Sequence, residues 1–396
     1  MPDVAMQRKK TGWANVALGD VAMNSTVATQ TPEQDGFTRY IIGKHIPDDG
    51  DKITTWGEVG DGEFGSRIRT VVKPGDIVCT TRGPQLRVAV ATFDCLSAHT
   101  NFVLRTNNAG VILQDYLQAL ACSDRFQEHL RRNFRGSTNL FVNWSDAAKF
   151  EFALPPIDEQ RRLTSALNSA GHLVEALLGT VDRMRSTQAA FFNDFVLKAG
   201  ATPCELGNLL LESPRNGCSA TPAEVPTGHW VLALSAISRW GYRHDELKPV
   251  SRTRAMELAV IARGDLVLSR SNTRELVGLP AVFPEDRTDV SYPDTMMRLT
   301  VDPSRVDARY LELCLRAPGC RHQVQSFAAG TSASMKKING SNLRKVTVPL
   351  IPRAKQEVVL NEVDRISRLI GETERRLEEV RNFRTTLIDA AFGPTP

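Results

Sequence analysis

Two stretches of this chain set arginine, amide and hydroxyl side chains close together after a short apolar run, a mixture suited to hydrogen bonding with nucleotides. The first is Thr80-Thr81-Arg82-Gly83-Pro84-Gln85-Leu86-Arg87 and the second is Ser269-Arg270-Ser271-Asn272-Thr273-Arg274. Arginine can donate two parallel hydrogen bonds to guanine, Asn or Gln can match adenine in the same way, and Ser or Thr can hold a phosphate. Two glycine-containing turns add more of the same chemistry. One carries Arg131, Arg132, Arg135, Ser137, Thr138 and Asn139, and the other Thr331, Ser332, Ser334, Lys336 and Lys337. Basic and hydroxyl groups on flexible backbone suit a clamp on a phosphate chain. Any one of these residues could equally be an ordinary solvated loop side chain; their recurrence in two places argues for a shared task.

Other candidate chemistries dissolve on inspection. Gly60-Asp61-Gly62-Glu63-Phe64-Gly65 fits a dinucleotide fingerprint, but the strand-like Ser66 to Val72 follows it where a helix is required, so a plain loop is expected. Glu246-Leu247-Lys248 resembles half of a nuclease site and lacks the second carboxylate that a metal would need, which leaves a surface ion pair. There is no Walker-type phosphate loop, no Asn-Pro-Pro-aromatic or Asp-Pro-Pro-aromatic tetrad for base methylation, and no His-x-x-x-His pair. The seven histidines stand without a nucleophile beside them, and the seven cysteines form no Cys-x-x-Cys pair and read as reduced core residues. No catalytic residue, metal site or cofactor is expected.

The elements that must position the loops are written twice. Leu163, Leu167, Ala170, Val174, Leu177, Val181, Met184, Gln188, Phe191 and Phe195 follow alternating spacings of four and three. Moved by 196 positions, the same slots hold Val359, Val363, Ile366, Ile370, Thr373, Leu377, Val380, Arg384, Leu387 and Ala391. Gln188 and Arg384 share a slot and are polar, which predicts a looser seam towards the C-terminal end of each helix. Ahead of the first helix stand Phe150, Phe152, Leu154, Pro155, Pro156 and Gln160; ahead of the second stand Val346, Val348, Leu350, Pro352 and Gln356. Asp158 and Glu159 suit a helix N-terminus, while Gly200 and then Gly393-Pro394 suit the two ends. Further upstream, Gly75-Asp76-Ile77-Val78 answers to Gly264-Asp265-Leu266-Val267, and Leu18-Gly19-Asp20-Val21 to Leu206-Gly207-Asn208-Leu209.

Strands are expected at Tyr40 to Ile42, Arg67 to Val72 and Ile77 to Thr80, and again at Trp230 to Leu234, Glu257 to Ile261 and Leu266 to Ser269. Helical periodicity follows at Leu113 to Arg132 and at Ala308 to Phe327. Each half is therefore an α+β head followed by a long helix, with heads over residues 1–155 and 201–352 and helices over 156–200 and 353–396. A helix of about 39 residues is about 58 Å long, too long for the two heads to share a core. Its apolar seam needs a partner, and the second helix supplies one by running back antiparallel, giving an approximate two-fold repeat.

Hydrophobic residues make up 41% and charged residues 24% of the chain, enough for two packed cores without invoking disorder. The net charge of +4 is mild, so contact with nucleic acid has to come from local patches. No apolar run reaches membrane-spanning length, and Arg8, Lys9 and Lys10 followed by Trp13 lack an export-signal core, so a cytoplasmic location is expected.

A head, a Leu-Pro-Pro-x-x-Glu-Gln lead-in at Leu154 to Gln160, a heptad helix and a complete second copy resemble the specificity subunits of type I restriction-modification systems. The resemblance covers essentially the whole chain. It implies that each head is a target-recognition domain for half of a split site in double-stranded DNA, that the helices act as a ruler, and that two DNA methyltransferase subunits are recruited, with motor-nuclease subunits joining in some assemblies. It also implies partner binding at the junctions, through Pro155, Pro156, Glu159, Gln160, Pro352 and Gln356. The second lead-in, Leu350-Ile351-Pro352-Arg353-Ala354-Lys355-Gln356, lacks the acidic residue before its glutamine, so the two junctions are not chemically identical. The other reading consistent with these residues is a non-catalytic, pseudo-symmetric protein-binding scaffold with solvated basic loops.

Overall fold

The structure is a computed structural model that describes residues 12–47, 52–83, 86–137, 139–219, 221–329 and 335–392. Arg8, Lys9, Lys10, Gly393 and Pro394 lie outside them. The chain forms two compact α+β units. One gathers the residues up to Thr180 with those from Thr373 onward, and the other is Val181–Glu372, so each unit holds a head with the start of one long helix and the end of the other. No helix among the described residues is long and apolar enough to cross a membrane.

In the first unit an antiparallel sheet runs Ala22–Asn24, Phe102–Thr106, Ile77–Cys79, Val88–Val90 in spatial order. A second sheet runs Gly57–Glu58, Arg39–Ile41, Cys95–Ala98, Ile68–Val72, with a parallel pair at its centre where Tyr40 stands opposite Leu96. In Ile68–Val72, the alternation of buried Ile68, Thr70 and Val72 with half-buried Arg69 and Val71 is that of a strand lying on a core. Two short helices, Gln114–Cys122 and Asp124–Arg132, pack Tyr116, Leu117, Leu120, Phe126 and Leu130 into that core.

The second unit repeats the scheme. Arg215–Asn216, Met296–Leu299, Leu266–Ser269 and Pro280–Val282 form the antiparallel sheet, and Leu247–Pro249, Trp230–Leu232 and Val290–Ser291 the one with the parallel pair. It departs from expectation at Glu257 to Ile261, where a short helix, Arg254–Leu258, replaces the strand and only Val260 bridges to Ser291. Thr253 caps that helix by accepting from the Met256 amide, and Ala255, Met256, Glu257 and Leu258 favour helix, whereas the first copy offers β-branched Ile68, Val71 and Val72. Both late helical stretches are also broken in two. Ser123 turns extended and caps the next helix through Phe126, and Pro318 forces Ala317 out of helix between Ala308–Arg316 and Pro318–Phe327.

The long helices are Ile157–Lys198 and Arg353–Phe392. Every expected seam position is buried or half-buried. Near the end of the first helix the buried stripe broadens, because Phe192 and Val196 join Phe191 and Phe195 in the second head's core. Within the second unit the helices run antiparallel: Lys355 Nζ donates to Ala199 O at 3.0 Å, and Gln188 Nε2 donates to Val363 O at 3.0 Å and Ser367 Oγ at 2.7 Å. The expected loosening at Gln188 is therefore replaced by hydrogen bonds to the neighbouring helix. In the first unit Leu163 and Leu167 share a core with Leu387, Ala391 and Phe392.

Each head is fastened to its outgoing helix by one buried glutamine. The fully buried Gln160 accepts from Leu113 N at 2.9 Å and donates to Val111 O and Pro155 O, both at 2.9 Å. Gln356, also fully buried, accepts from Asp307 N at 2.8 Å and donates to Ile351 O at 2.9 Å and Arg305 O at 3.3 Å. The partners correspond residue for residue between the copies. Both amide hydrogens are used, which is why a side chain this polar can be sealed inside.

The Gly-Asp motif has an equally specific task. Asp76 accepts from Lys73 N at 2.7 Å, closing the turn, and takes a bidentate contact from Arg105 at 2.6 Å and 2.6 Å. Asp265 accepts from Ala262 N at 2.9 Å and lies 3.5 Å from Arg298. Each aspartate ties a turn to the strand beside it, and the strand leaving the turn leads to a candidate loop at its other end. The Asp76 hydrogen bonds hold the Arg105 guanidinium above its ordinary pKa.

Replacing Gln160 or Gln356 by leucine strands an amide hydrogen, on Leu113 or Asp307, without an acceptor. Each variant is expected to lose about 2–3 kcal/mol in denaturant unfolding; wild-type stability would show that the glutamine does not fasten the head. Asp76→Asn is expected to cost about 2–3 kcal/mol because it breaks a bidentate pair on a buried carboxylate, and Asp265→Asn, with its longer contact on a more exposed carboxylate, less than about 1 kcal/mol. Equal losses would remove that distinction.

Candidate nucleic-acid interface

The two polar loops of each head, far apart in sequence, are hydrogen-bonded to one another. In the first unit Arg82 and Arg135 both bridge to Phe141, Val142 N donates to Thr81 O at 3.1 Å, and Gly83 N donates to Leu140 O at 3.3 Å. In the second, Ser271–Asn272 pairs antiparallel with Lys336–Lys337, and Ala329 exchanges both backbone hydrogen bonds with Lys337 at 2.9 Å and 2.8 Å. Arg82, Phe141 and Arg135 thus correspond to Ser271, Lys337 and Ala329. Each unit carries one composite polar surface made of both loops, supported by the Ile77–Cys79 or Leu266–Ser269 strand.

Within that surface the side chains divide into two classes. Thr80, Thr81, Ser269 and Ser271 are buried and work for the loop itself. Thr80 Oγ1 accepts from Arg87 N at 2.8 Å, Thr81 Oγ1 donates to Thr100 O, and Ser269 Oγ accepts from Asn272 Nδ2 at 3.3 Å. These hydroxyls, expected to face a phosphate, face inward instead, because the apolar strand continues further into each loop than its composition suggests. Arg87 is half-buried and spans to Gly43 O at 3.1 Å and Ile46 O at 3.3 Å. Arg135 pairs with Asp146 at 2.7 Å, Arg132 with Glu128 at 3.1 Å, and Arg270 donates to Asp294 O at 3.2 Å.

Arg82, Ser137, Asn139, Arg274 and Lys337 are exposed, together with Arg132 and Arg135, while Asn272 and Lys336 are half-buried. Gln85, Thr138, Thr331, Ser332 and Ser334 lie outside the described residues. The exposed set is cationic in both heads, with an exposed amide at Asn139 in the first and a half-buried one at Asn272 in the second, the chemistry that meets base edges and phosphate oxygens.

The junction residues also sort by burial. Pro156 and Pro352 are exposed and Glu159 is half-buried, 3.4 Å from Arg162, whereas Pro155, Gln160 and Gln356 are buried. The two glutamines, expected to meet a partner, are consumed inside the fold by the bonds to Leu113 and Asp307. In place of the missing acidic group, the second junction has Arg353 paired with Asp307 at 3.0 Å and Arg309 paired with Asp364.

The decoy motifs resolve into structure. In the glycine-rich loop Asp61 accepts from the Tyr40 hydroxyl at 3.0 Å and from Glu63 N at 2.9 Å, and Glu246 pairs with Arg243 at 3.4 Å. Cys79, Cys95, Cys314 and Cys320 are buried, and burial pushes the Cys79 and Cys95 thiols up to about 12.

No family model matches the chain. It is 22% identical over 200 residues to the EcoEI type I restriction enzyme specificity subunit of Escherichia coli, across 50% of this chain and 34% of that one. It is 23% identical over 190 residues to the EcoKI specificity subunit of Escherichia coli K12, across 46% and 40%. The matched segments span less than half the length of these relatives. Among solved structures, the type I restriction-modification S subunit from M. genitalium aligns over 99% of both chains at 12% identity with a TM-score of 0.48. By its sequence matches, the chain is a relative of the specificity subunits of type I restriction-modification systems.

Proposed function

We propose that this chain is a non-catalytic subunit that reads a bipartite target in double-stranded DNA, one half-site per head, and delivers methyltransferase subunits to it. Residues 1–155 and 201–352 are the recognition domains in this reading, and the helices of 156–200 and 353–396 are the ruler and recruitment frame. The observation that carries it is the pairing of two basic, hydroxyl-rich loops into one surface, at corresponding positions, in both units. A scaffold that bound proteins would have no need to bring two cation-bearing loops together twice. The names of the related proteins add weight, since all are specificity subunits of restriction enzymes.

In this reading Arg82, Asn139, Arg274 and Lys337 meet the DNA, and the buried hydroxyls shape the loops that carry them. The exposed Pro156 and Pro352 and the half-buried Glu159 remain the junction candidates for a partner surface. Two methyltransferase subunits are expected, one for each junction, and motor-nuclease subunits join where the system also cleaves.

The test begins with sequencing modified bases in a host that carries this chain with its methyltransferase, which yields the site. Duplex DNA holding that site should bind with an affinity that falls steeply as salt rises, and Arg82→Ala or Arg274→Ala should each lower the salt slope by about 1. Binding indifferent to salt and to both substitutions would return the scaffold reading. The purified chain alone should transfer no methyl group, and should gain site-dependent methylation when the methyltransferase is added; transfer by the lone chain would sink the division of labour.

A further inference from the structure

The recognition loop of the second head is held from behind by two side chains on the short helix Pro318–Phe327. Arg321 Nη2 donates to Val277 O at 2.8 Å and to Glu275 O at 3.1 Å, and Gln325 Nε2 donates to Arg274 O at 3.2 Å. The rest of the loop is closed on itself and on its neighbour. Gly278 N donates to Ser269 O at 2.6 Å, Val277 N to Thr273 O at 2.8 Å, and Ile338 N to Arg270 O at 3.1 Å. Gly278, at φ +70, lets the loop lie directly on the helix, since a Cβ there would fall 2.1 Å from Val324 Cγ1.

Arg321 is an expensive choice for a structural link. The residue is half-buried, its buried Nη1 has no hydrogen-bond partner among the described residues, and desolvation lowers its pKa to about 10. A cation partly withdrawn from water with only carbonyl partners is costly, which is intelligible if the loop's position matters more than stability. Among the described residues the first head shows no such contact. The corresponding residues, Gln127 and Arg131, bond to each other at 3.1 Å, and the loop there is tied by Thr81 and Gly83 backbone instead.

We propose that Arg321, seconded by Gln325, is a positioning residue that sets the base preference of the second head without touching DNA. This rests on the DNA-reading function proposed above. Bidentate readout needs donors placed to within about half an ångström, and the carbonyls of residues 274, 275 and 277 that these side chains hold lie on the same short loop as Asn272 and Arg274. Releasing them lets both side chains wander while the first head keeps its own lock.

The test presents the full chain with a pool of random-sequence duplex DNA and sequences the bound fraction, with thermal unfolding measured on every variant. The wild type should enrich two base blocks separated by a gap. Arg321→Gln should lower discrimination about tenfold in one block and leave the other unchanged, Gln325→Ala should weaken that same block less, and Arg321→Lys should recover part of the loss. Unchanged blocks in a folded Arg321→Gln chain, or equal loss from both, overturn the proposal. If Arg321→Gln does not fold, Gln325→Ala decides: loss confined to one block supports the brace, and no change overturns it. A wild-type chain that enriches no block refutes the DNA-reading function itself, and the brace falls with it.

Discussion

A polar group sealed from water must find a partner, and this requirement fixes how each head is joined to its helix. The first turns of a long helix and the loop leading to the head's late helices bring several backbone groups to one dry spot, and a single glutamine amide answers three of them. Alanine or leucine would leave a donor stranded, and a carboxylate would bring a charge with no cation. The junction is therefore a packed joint and not a hinge. Short strand pairs, Ala14–Ala17 with Glu151–Leu154 and Thr202–Glu205 with Thr347–Leu350, reinforce it in each unit.

The same accounting separates the frame of each head from its variable surface. Glutamine at the junction and aspartate at the turn recur in both copies because they satisfy the same backbone groups, and the arginine on the adjacent strand recurs as the aspartate's partner. The close approach of Gly19 to Ala148, 3.0 Å from where its Cβ would stand, and of Gly207 to Arg344, 2.9 Å, recurs for the same reason. The polar loops, by contrast, share a position and a pairing scheme but not their residues. Two heads alike in frame and unlike in exposed side chains form a design in which the loop surface can change without disturbing the core.

Electrostatics follows the same division. The chain's net charge of +4 gives only a weak overall field. Several loop arginines are already engaged, Arg135 with Asp146 and Arg132 with Glu128, so the cations exposed in the loops count for more than the total.

Much of this was written in one dimension. Heptad spacing fixed the two long helices, the alternation of apolar residues marked several of the strands, and the offset between copies placed similar polar loops in each head, because period and repetition are properties of the chain itself. The direction of a short polar side chain is not. Thr80, Thr81, Ser269 and Ser271 have the composition of a phosphate clamp yet turn inward, since facing depends on how far a strand continues against a core built from remote residues. Residues 257–261 sit where the copy suggests a strand, and a threonine cap with good helix formers won locally. The inward role of Gln160 and Gln356, the partner of each Gly-Asp aspartate and the hold of Arg321 on its loop needed the tertiary structure for one reason: each answers backbone groups that only folding brings into reach.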